Sequence, residues 1–179
     1  MNRKLKIYHS SLISIRKPRG FTLIELLIVI SITALLGVSA IAGFSSYNSV
    51  QALQTSASNV VAMLNLARSR AQSQIKPSGC ASNLNGYRVV ISTSGEYVLY
   101  VSCSGTNDQS GDTKITEEYK QLPSGVTFSA GSSLFLFFPA QTGGVQGSTG
   151  SSPWYIVINS SGKTRTITIN ALGGISVSQ

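Results

Sequence analysis

The stretch KPRGFTLIELLIVISITALLGVSAIAG, residues 17–43, decides how this chain is organised. Residues 21–43 form a mostly apolar run whose only charge is Glu25. About 20 apolar residues are enough for a helix to cross a bilayer. Basic residues stand directly before the run, and by the positive-inside rule they keep the N-terminus in the cytoplasm. The sequence therefore predicts a single-pass cytoplasmic (inner) membrane protein with an extracytoplasmic head domain.

The charge of the chain is concentrated at its N-terminus. The 179 residues have a formal net charge of +8, and six of the 14 lysines and arginines fall among the first twenty residues, which contain no acid. The remaining chain is close to neutral. The excess of positive charge therefore does not indicate a nucleic-acid-binding surface across the whole domain.

A secretory signal peptide is the first alternative for the apolar run. It requires a cleavage site of small residues after the run, and Ser39-Ala40-Ile41-Ala42 is a weak match. The run is long for a signal peptide, however, and the strongest cleavage-like feature comes before it.

That feature, residues 17–27, closely resembles the class III signal of type IV prepilins and type II secretion pseudopilins. The match combines basic residues, Gly, Phe, Thr-Leu, Glu and an uninterrupted apolar run. In that family a prepilin peptidase cuts after the glycine on the cytoplasmic side and methylates the new N-terminal residue. The resemblance implies cleavage between Gly20 and Phe21, methylation of Phe21, and a role in assembly for Glu25.

Glu25 also has a physical interpretation. A carboxylate near membrane depth is costly and usually functional. In a filament, Glu25 of one subunit can pair with the Phe21 amine of a neighbour and so neutralise two charges in an apolar core. The alternative is that Glu25 only complements the dipole of its own helix. The family resemblance favours the pairing.

The helix is expected to continue past Gly43, over residues 21–74. Beyond the apolar run, apolar residues recur at alternating spacings of three and four, which places them on one helix face. Pro77-Ser78-Gly79 is expected to end the helix. The predicted buried stripe consists of Val50, Leu53, Ala57, Val60, Leu64, Ala67 and Ala71.

Most of the remaining chain is predicted to form strands. Residues 87–91 and 97–101 flank Ser92-Thr93-Ser94-Gly95 as a hairpin. The predicted architecture is α+β, a type IV pilin fold with a long N-terminal helix, apolar in its first half, packed on an antiparallel sheet. Gly/Ser-rich loops are expected at 104–114 and 140–152. The further predicted strands are 118–122, 126–129, 134–138, 154–159, 164–169 and 174–177.

Both cysteines, Cys80 and Cys103, follow the apolar segment. A lone pair in an exported domain indicates one disulfide, with two free buried thiols as the alternative. Such a bond ties the helix-to-sheet connection to the sheet.

Two later segments resemble the GspH/FimT group of minor pilins and pseudopilins, namely residues 66–71 (LARSRA) and 156–167. Some FimT-type pilins bind DNA during natural uptake through a Gly-Arg-x-Arg near the C-terminus. Here the corresponding stretch is Gly162 to Arg165, with Lys163 in place of the first arginine, which loses the bidentate fork. Two cations contact two phosphates and little more. The alternative is that Lys163 and Arg165 are solvated residues of an edge strand.

Catalysis is not expected, and neither is a cofactor or a metal. The only histidine, His9, lies in the predicted leader. The chain has no Gly-x-Ser-x-Gly elbow or phosphate-binding loop, and its two cysteines are too far apart for a Cys-x-x-Cys motif. Residues 107–112 (NDQSGD) fail the EF-hand spacing for calcium, and a solvated acidic loop is the simpler interpretation.

The sequence thus predicts four parts: a cleaved basic leader (1–20), a transmembrane and filament-core helix (21–43), an amphipathic continuation (44–76) and a β-rich head (77–179). The resemblance implies a structural subunit, a minor pilin or pseudopilin, of a type IV pilus or type II secretion-like filament at the cell surface or in the periplasm. A DNA-binding minor pilin and a major pilin are the alternatives. The implied partners are prepilin peptidase, other pilin subunits, the inner-membrane assembly platform and, before assembly, membrane lipid.

Overall fold

The computed structural model describes residues 20–78, 80, 82–103, 112–129, 134–148 and 151–178, without the side chains of 39–43, 45, 114, 116 and 117. The predicted leader lies outside this part except for Gly20. The chain divides into two compact units, residues 1–42 and 43–179.

Helix α1 spans Leu23–Gln72. Thr22 caps its start, because the Thr22 Oγ1 accepts a hydrogen bond from the Glu25 N–H at 3.3 Å. Its end is a Schellman motif around Gln74, which has a left-handed φ of 51°. The N–H of Ile75 donates to Arg70 O and the N–H of Gln74 to Ala71 O. The helix therefore ends two residues earlier than predicted. Hydrogen bonds of its own backbone end it before Pro77.

The strands of the described residues form two antiparallel sheets, where the sequence predicted one. The five-stranded sheet has the order β3-β2-β1-β5-β6, and the four-stranded sheet has the order β4-β7-β8-β9. The strands are β1 (Gly86–Ile91), β2 (Glu96–Ser102), β3 (Asp112–Gln121), β4 (Val126–Phe128), β5 (Leu134–Pro139), β6 (Gln146–Gly147), β7 (Trp154–Ser160), β8 (Lys163–Ile169) and β9 (Ile175–Ser178).

The core joins the second half of α1 to both sheets. Every residue of the predicted helical stripe is buried except Val50, which is half-buried. Ser56 and Met63 are buried as well. Alternate residues of the strands complete the core, as the period of two in a strand requires. These core residues include Tyr87, Val89, Ile91, Leu99, Leu136, Phe138, Ile156, Ile158, Ile167 and Ile169. The α+β prediction is thus confirmed.

Two of the expected loops contain strand residues. Asp112, Thr113 and Lys114, assigned to a loop over 104–114, begin β3 and pair with β2. Gln146 and Gly147, assigned to the loop over 140–152, form β6 on the edge of β5. Both errors have the same physical reason: pairing with a distant strand overrides Gly/Ser-rich composition. Residues 104–111 lie outside the described part.

Candidate processing and assembly site

The predicted cleavage site lies at the entrance to α1. Gly20 and Phe21 both precede the first helical residue, and the Phe21 side chain is 81% exposed. Among the described residues other than its chain neighbours, no atom lies within 4 Å of where a Cβ on Gly20 would stand. The Gly20–Phe21 peptide bond therefore lies before the helical hydrogen-bond ladder, which begins at Thr22 O.

Glu25 is placed by the helix cap. Its N–H donates to the Thr22 hydroxyl, and the Leu26 N–H donates to Thr22 O at 3.2 Å. This puts the carboxylate in the first turn of α1, where it complements the positive end of the helix dipole. The ion pairs found in the described residues are Arg70–Glu118 and Arg88–Asp112, so Glu25 takes part in neither.

The apolar side chains that follow Glu25 are uncovered in the isolated subunit. The large ones from Leu26 to Val38 are between 49% and 76% exposed. An apolar surface of this extent marks an interaction site with protein or membrane. Within the helical residues whose side chains are described, no stretch meets the combined requirement of length and hydropathy for crossing a membrane.

The two arginines of the LARSRA segment fasten the helix to different sheets. The Arg68 guanidinium donates from Nη1 to Gly173 O at 2.9 Å and from Nη2 to Leu172 O at 3.2 Å, in the β8–β9 turn. The Arg70 Nη2 forms an ion pair with Glu118 Oε1 of β3 at 2.9 Å. Their roles in the described structure are therefore to position the head against the helix.

The turn that receives Arg68 requires a glycine. Gly173 has a φ of +82°, and a Cβ there would stand 2.7 Å from Gly143 O and 2.9 Å from Arg68 Nε. A side chain would both strain the backbone and displace the guanidinium.

Tyr87 holds the segment that leaves the helix. Its hydroxyl donates to Ile75 O, and its side chain is buried in the core. Burial raises the pKa of Tyr87, and the nearby charge of Arg70 partly opposes this shift. Tyr87 thus stays protonated and keeps its hydrogen bond.

The predicted disulfide is present between Cys80 and Cys103, whose Cα atoms are 5.6 Å apart. Both cysteines are buried. Cys103 directly follows β2, so the bond ties the connection after α1 to the end of that strand.

Lys163 and Arg165 lie on β8, opposite Ser160 and Ile158 of β7. Lys163 is exposed and Arg165 is half-buried. The edge-strand interpretation is wrong for β8 as a whole, because β8 lies between β7 and β9. It holds only locally, since β9 pairs with residues 166–169 and stops short of the two cations.

A buried ion pair on the five-stranded sheet was not anticipated. Arg88 Nε lies 2.7 Å from Asp112 Oδ2, and the two side chains are 1% and 4% exposed. The guanidinium also packs over the rings of Phe135 and Phe137, 4.7 and 5.4 Å from their centres. The sequence feature that could have indicated this ion pair is Arg88 itself, a charged residue inside a predicted strand. Asp112, the last residue of the suspected calcium loop, is bound to an arginine.

No group of three or more His, Cys, Asp or Glu side chains in the described part of the chain is arranged to hold a metal ion.

Two comparisons with protein families give a match. The prokaryotic N-terminal methylation motif matches residues 15–41, which contain the cleavage signal and the start of α1. This defines the class as a type IV prepilin-like protein, a pilin or pseudopilin subunit. The type II transport protein GspH family matches residues 56–173, more than half of the chain, and the chain belongs to that family. Neither the search of curated proteins nor that of solved structures gave a match.

Proteins of this class are structural subunits, processed by prepilin peptidase and assembled with other pilins. They are anchored in the membrane first and associated with a filament afterwards.

Proposed function

We propose that this protein is a minor pilin or pseudopilin that is cleaved between Gly20 and Phe21, methylated on Phe21 and moved from the membrane into a filament. The observation that carries the proposal is the uncovered apolar start of α1, joined in one chain to a disulfide-bonded head. An apolar helix surface that the subunit itself leaves open is suited first to lipid and then to the helices of neighbours.

The proposed topology follows from charge and apolar length. The basic leader stays in the cytoplasm and residues 21–43 form the anchor. Residues 44–76 continue α1 to Gln72 and connect it to the extracytoplasmic head at residues 77–179. The disulfide supports this side for the head, because such bonds persist in oxidising compartments.

Glu25 is proposed to set the register of assembly. In the isolated subunit its carboxylate is exposed in the first turn of α1. In a filament the Phe21 amine of a neighbour supplies the opposite charge, and the pairing compensates two charges that would otherwise be buried alone. The inner-membrane assembly platform and other pilin subunits are the partners of this step.

The family match favours a secretion-like pseudopilus over a retractile pilus, because the family that matches residues 56–173 is described as a type II transport protein. Binding to DNA is the weaker alternative. Lys163 and Arg165 are two cations, of which Arg165 is half-buried, so they offer little phosphate contact.

Quantitative mass spectrometry of sheared fibres and of membranes, including the N-terminal peptide, tests the proposal. We expect a chain that starts at methylated Phe21, present in membranes and at low abundance in fibres. Dominance of the fibre by this chain would make it a major pilin. A chain that starts after Ala42 would identify a secreted soluble protein and contradict the proposal.

A further inference from the structure

Two exposed aromatic side chains stand just after the apolar run. Phe44 is 67% exposed and Tyr47 is 60% exposed. They are three residues apart on α1 and therefore lie on neighbouring positions of one helix face. Neither belongs to the core that joins the helix to the sheets. Burial in the head thus does not explain two large rings at this place.

The hydroxyl of Tyr47 is hydrogen-bonded to a side chain that lies closer to the head. The Gln51 Nε2 donates a hydrogen bond to the Tyr47 hydroxyl at 2.8 Å, and Gln51 is one turn further toward the head. In sequence, the apolar run lies on the other side of Tyr47. The side chain therefore has an apolar ring and a hydroxyl that is hydrogen-bonded to a polar residue, the combination that suits the boundary between hydrocarbon and water.

Composition leaves no other anchor of this kind. Trp, Tyr, Lys and Arg are the residues that fix where a helix leaves a membrane. Between Gly20 and Ala67, Tyr47 is the sole residue of these four types. The next cation, Arg68, binds the carbonyls of Leu172 and Gly173 in the head.

We propose that Tyr47, supported by Phe44, contacts the headgroup layer of the outer leaflet and sets the depth at which α1 leaves the membrane before assembly. The partner is a lipid surface. This inference rests on the proposed membrane anchor at residues 21–43 and assigns its outer boundary. If the inference holds, both rings leave the lipid when the subunit is extracted from the membrane into the filament.

Depth-dependent fluorescence quenching of the full processed chain tests the proposal. The chain is reconstituted in vesicles of phosphatidylethanolamine and phosphatidylglycerol, with bromine atoms on the acyl chains either near the glycerol or near the bilayer centre. Tyr47→Trp reports on the proposed position. Gln54→Trp is the matched control, because Gln54 is exposed on the same side of α1, about 10 Å further toward the head. Trp154 is retained, and the unmodified chain supplies its constant signal.

We expect the residue-47 signal to be quenched roughly twofold more by the shallow bromines than the residue-54 signal, because an interfacial ring lies at headgroup level. Deep bromines should quench it less than shallow ones. Equal quenching at both positions, in vesicles that carry the chain on flotation, would overturn the inference and leave the anchor intact. The fluorescence of the tryptophan at position 47 can also be compared between vesicles and assembled fibres. If lipid bromines leave it unquenched and it changes only in fibres, the rings contact a neighbouring subunit and the inference is likewise overturned. Failure of the chain to float with the vesicles would refute the anchor itself.

Discussion

Arg88 and Asp112 form an ion pair in which the Nε-to-Oδ2 distance is 2.7 Å and both side chains are almost completely excluded from water. Asp112 is the first residue of β3, and Arg88 is in the middle of β1, two strands away in the same sheet. The pair therefore fixes the beginning of β3 from across β2. Two phenylalanine rings pack against the same guanidinium and exclude water from it.

Removing one partner of this pair should destabilise the head strongly. Asp112→Asn leaves a buried guanidinium without its counter-charge, which costs about 3–5 kcal/mol. Urea unfolding of residues 43–179, followed by the fluorescence of buried Trp154, measures the loss. Arg88→Met combined with Asp112→Leu should cost less than Asp112→Asn alone, because no charge is left unpaired. A loss below about 1 kcal/mol for Asp112→Asn would mean that the pair is solvated, as exposed pairs of that strength are.

The two arginines of the LARSRA segment should differ in their contribution to stability. Arg68→Met removes two charged hydrogen bonds to backbone carbonyls and should lower the free energy of unfolding by about 2 kcal/mol. Arg70→Met breaks a partly exposed ion pair with Glu118 and should cost less than about 1 kcal/mol. The same urea titration compares the two variants. Equal losses would show that the β8–β9 turn does not depend on Arg68.

The disulfide should stabilise the head through the loop that it closes. Cys80 and Cys103 are 23 residues apart, and the chain-entropy model gives about 3 kcal/mol for a loop of this size. Reduction of residues 43–179 should therefore lower the melting temperature measured by circular dichroism. Cys80→Ala/Cys103→Ala is the control that the reductant should leave unchanged. Thiol titration verifies that the bond is reduced. If the melting temperature is then unchanged, the disulfide does not contribute to the stability of the head.

Glu25 should be needed for assembly and dispensable for cleavage. Glu25→Ala retains Gly20 and Phe21 and should be processed normally, but its subunits lack the carboxylate that pairs with the Phe21 amine of a neighbour. Mass spectrometry measures the abundance of the variant in sheared fibres relative to its abundance in membranes. This ratio should fall at least about tenfold if the pairing contributes about 1.4 kcal/mol or more. Thr22→Val is the matched control, because it removes the helix cap and keeps the carboxylate. Normal incorporation of Glu25→Ala would refute the pairing.

Lys163 and Arg165 should contribute little to DNA binding. Two cations make at most two phosphate contacts, and Arg165 is half-buried. We expect residues 43–179 and Lys163→Ala/Arg165→Ala to bind duplex DNA equally weakly across a salt titration. Lys120→Ala, which removes an exposed lysine from the other sheet, is the control. A salt slope that falls by about 2 only in the double variant would instead support the DNA-uptake alternative.

The parts of the fold that depend on local periodicity could be predicted. The stripe from Leu53 to Ala71 and the β1–β2 hairpin follow from spacings of three, four and two residues. The disulfide followed from the number of cysteines and the expected compartment. The β1–β5 pairing could not be predicted, because it joins residues 86–91 to 134–139 and no local pattern specifies that register. β6 and the start of β3 were missed for the same reason.

By itself, the sequence determined the prepilin-like signal at residues 17–27, the uncharged apolar run behind Glu25 and the helical stripe, because each depends on the order of neighbouring residues. Only the tertiary structure decided that the strands form two sheets, that β8 is flanked on both sides, and that Arg68, Arg70 and Arg88 each bind a group of the head. The physical reason is distance along the chain. A charge looks the same in the sequence whether it faces water or a carboxylate 24 residues away, and folding alone brings that carboxylate within 2.7 Å.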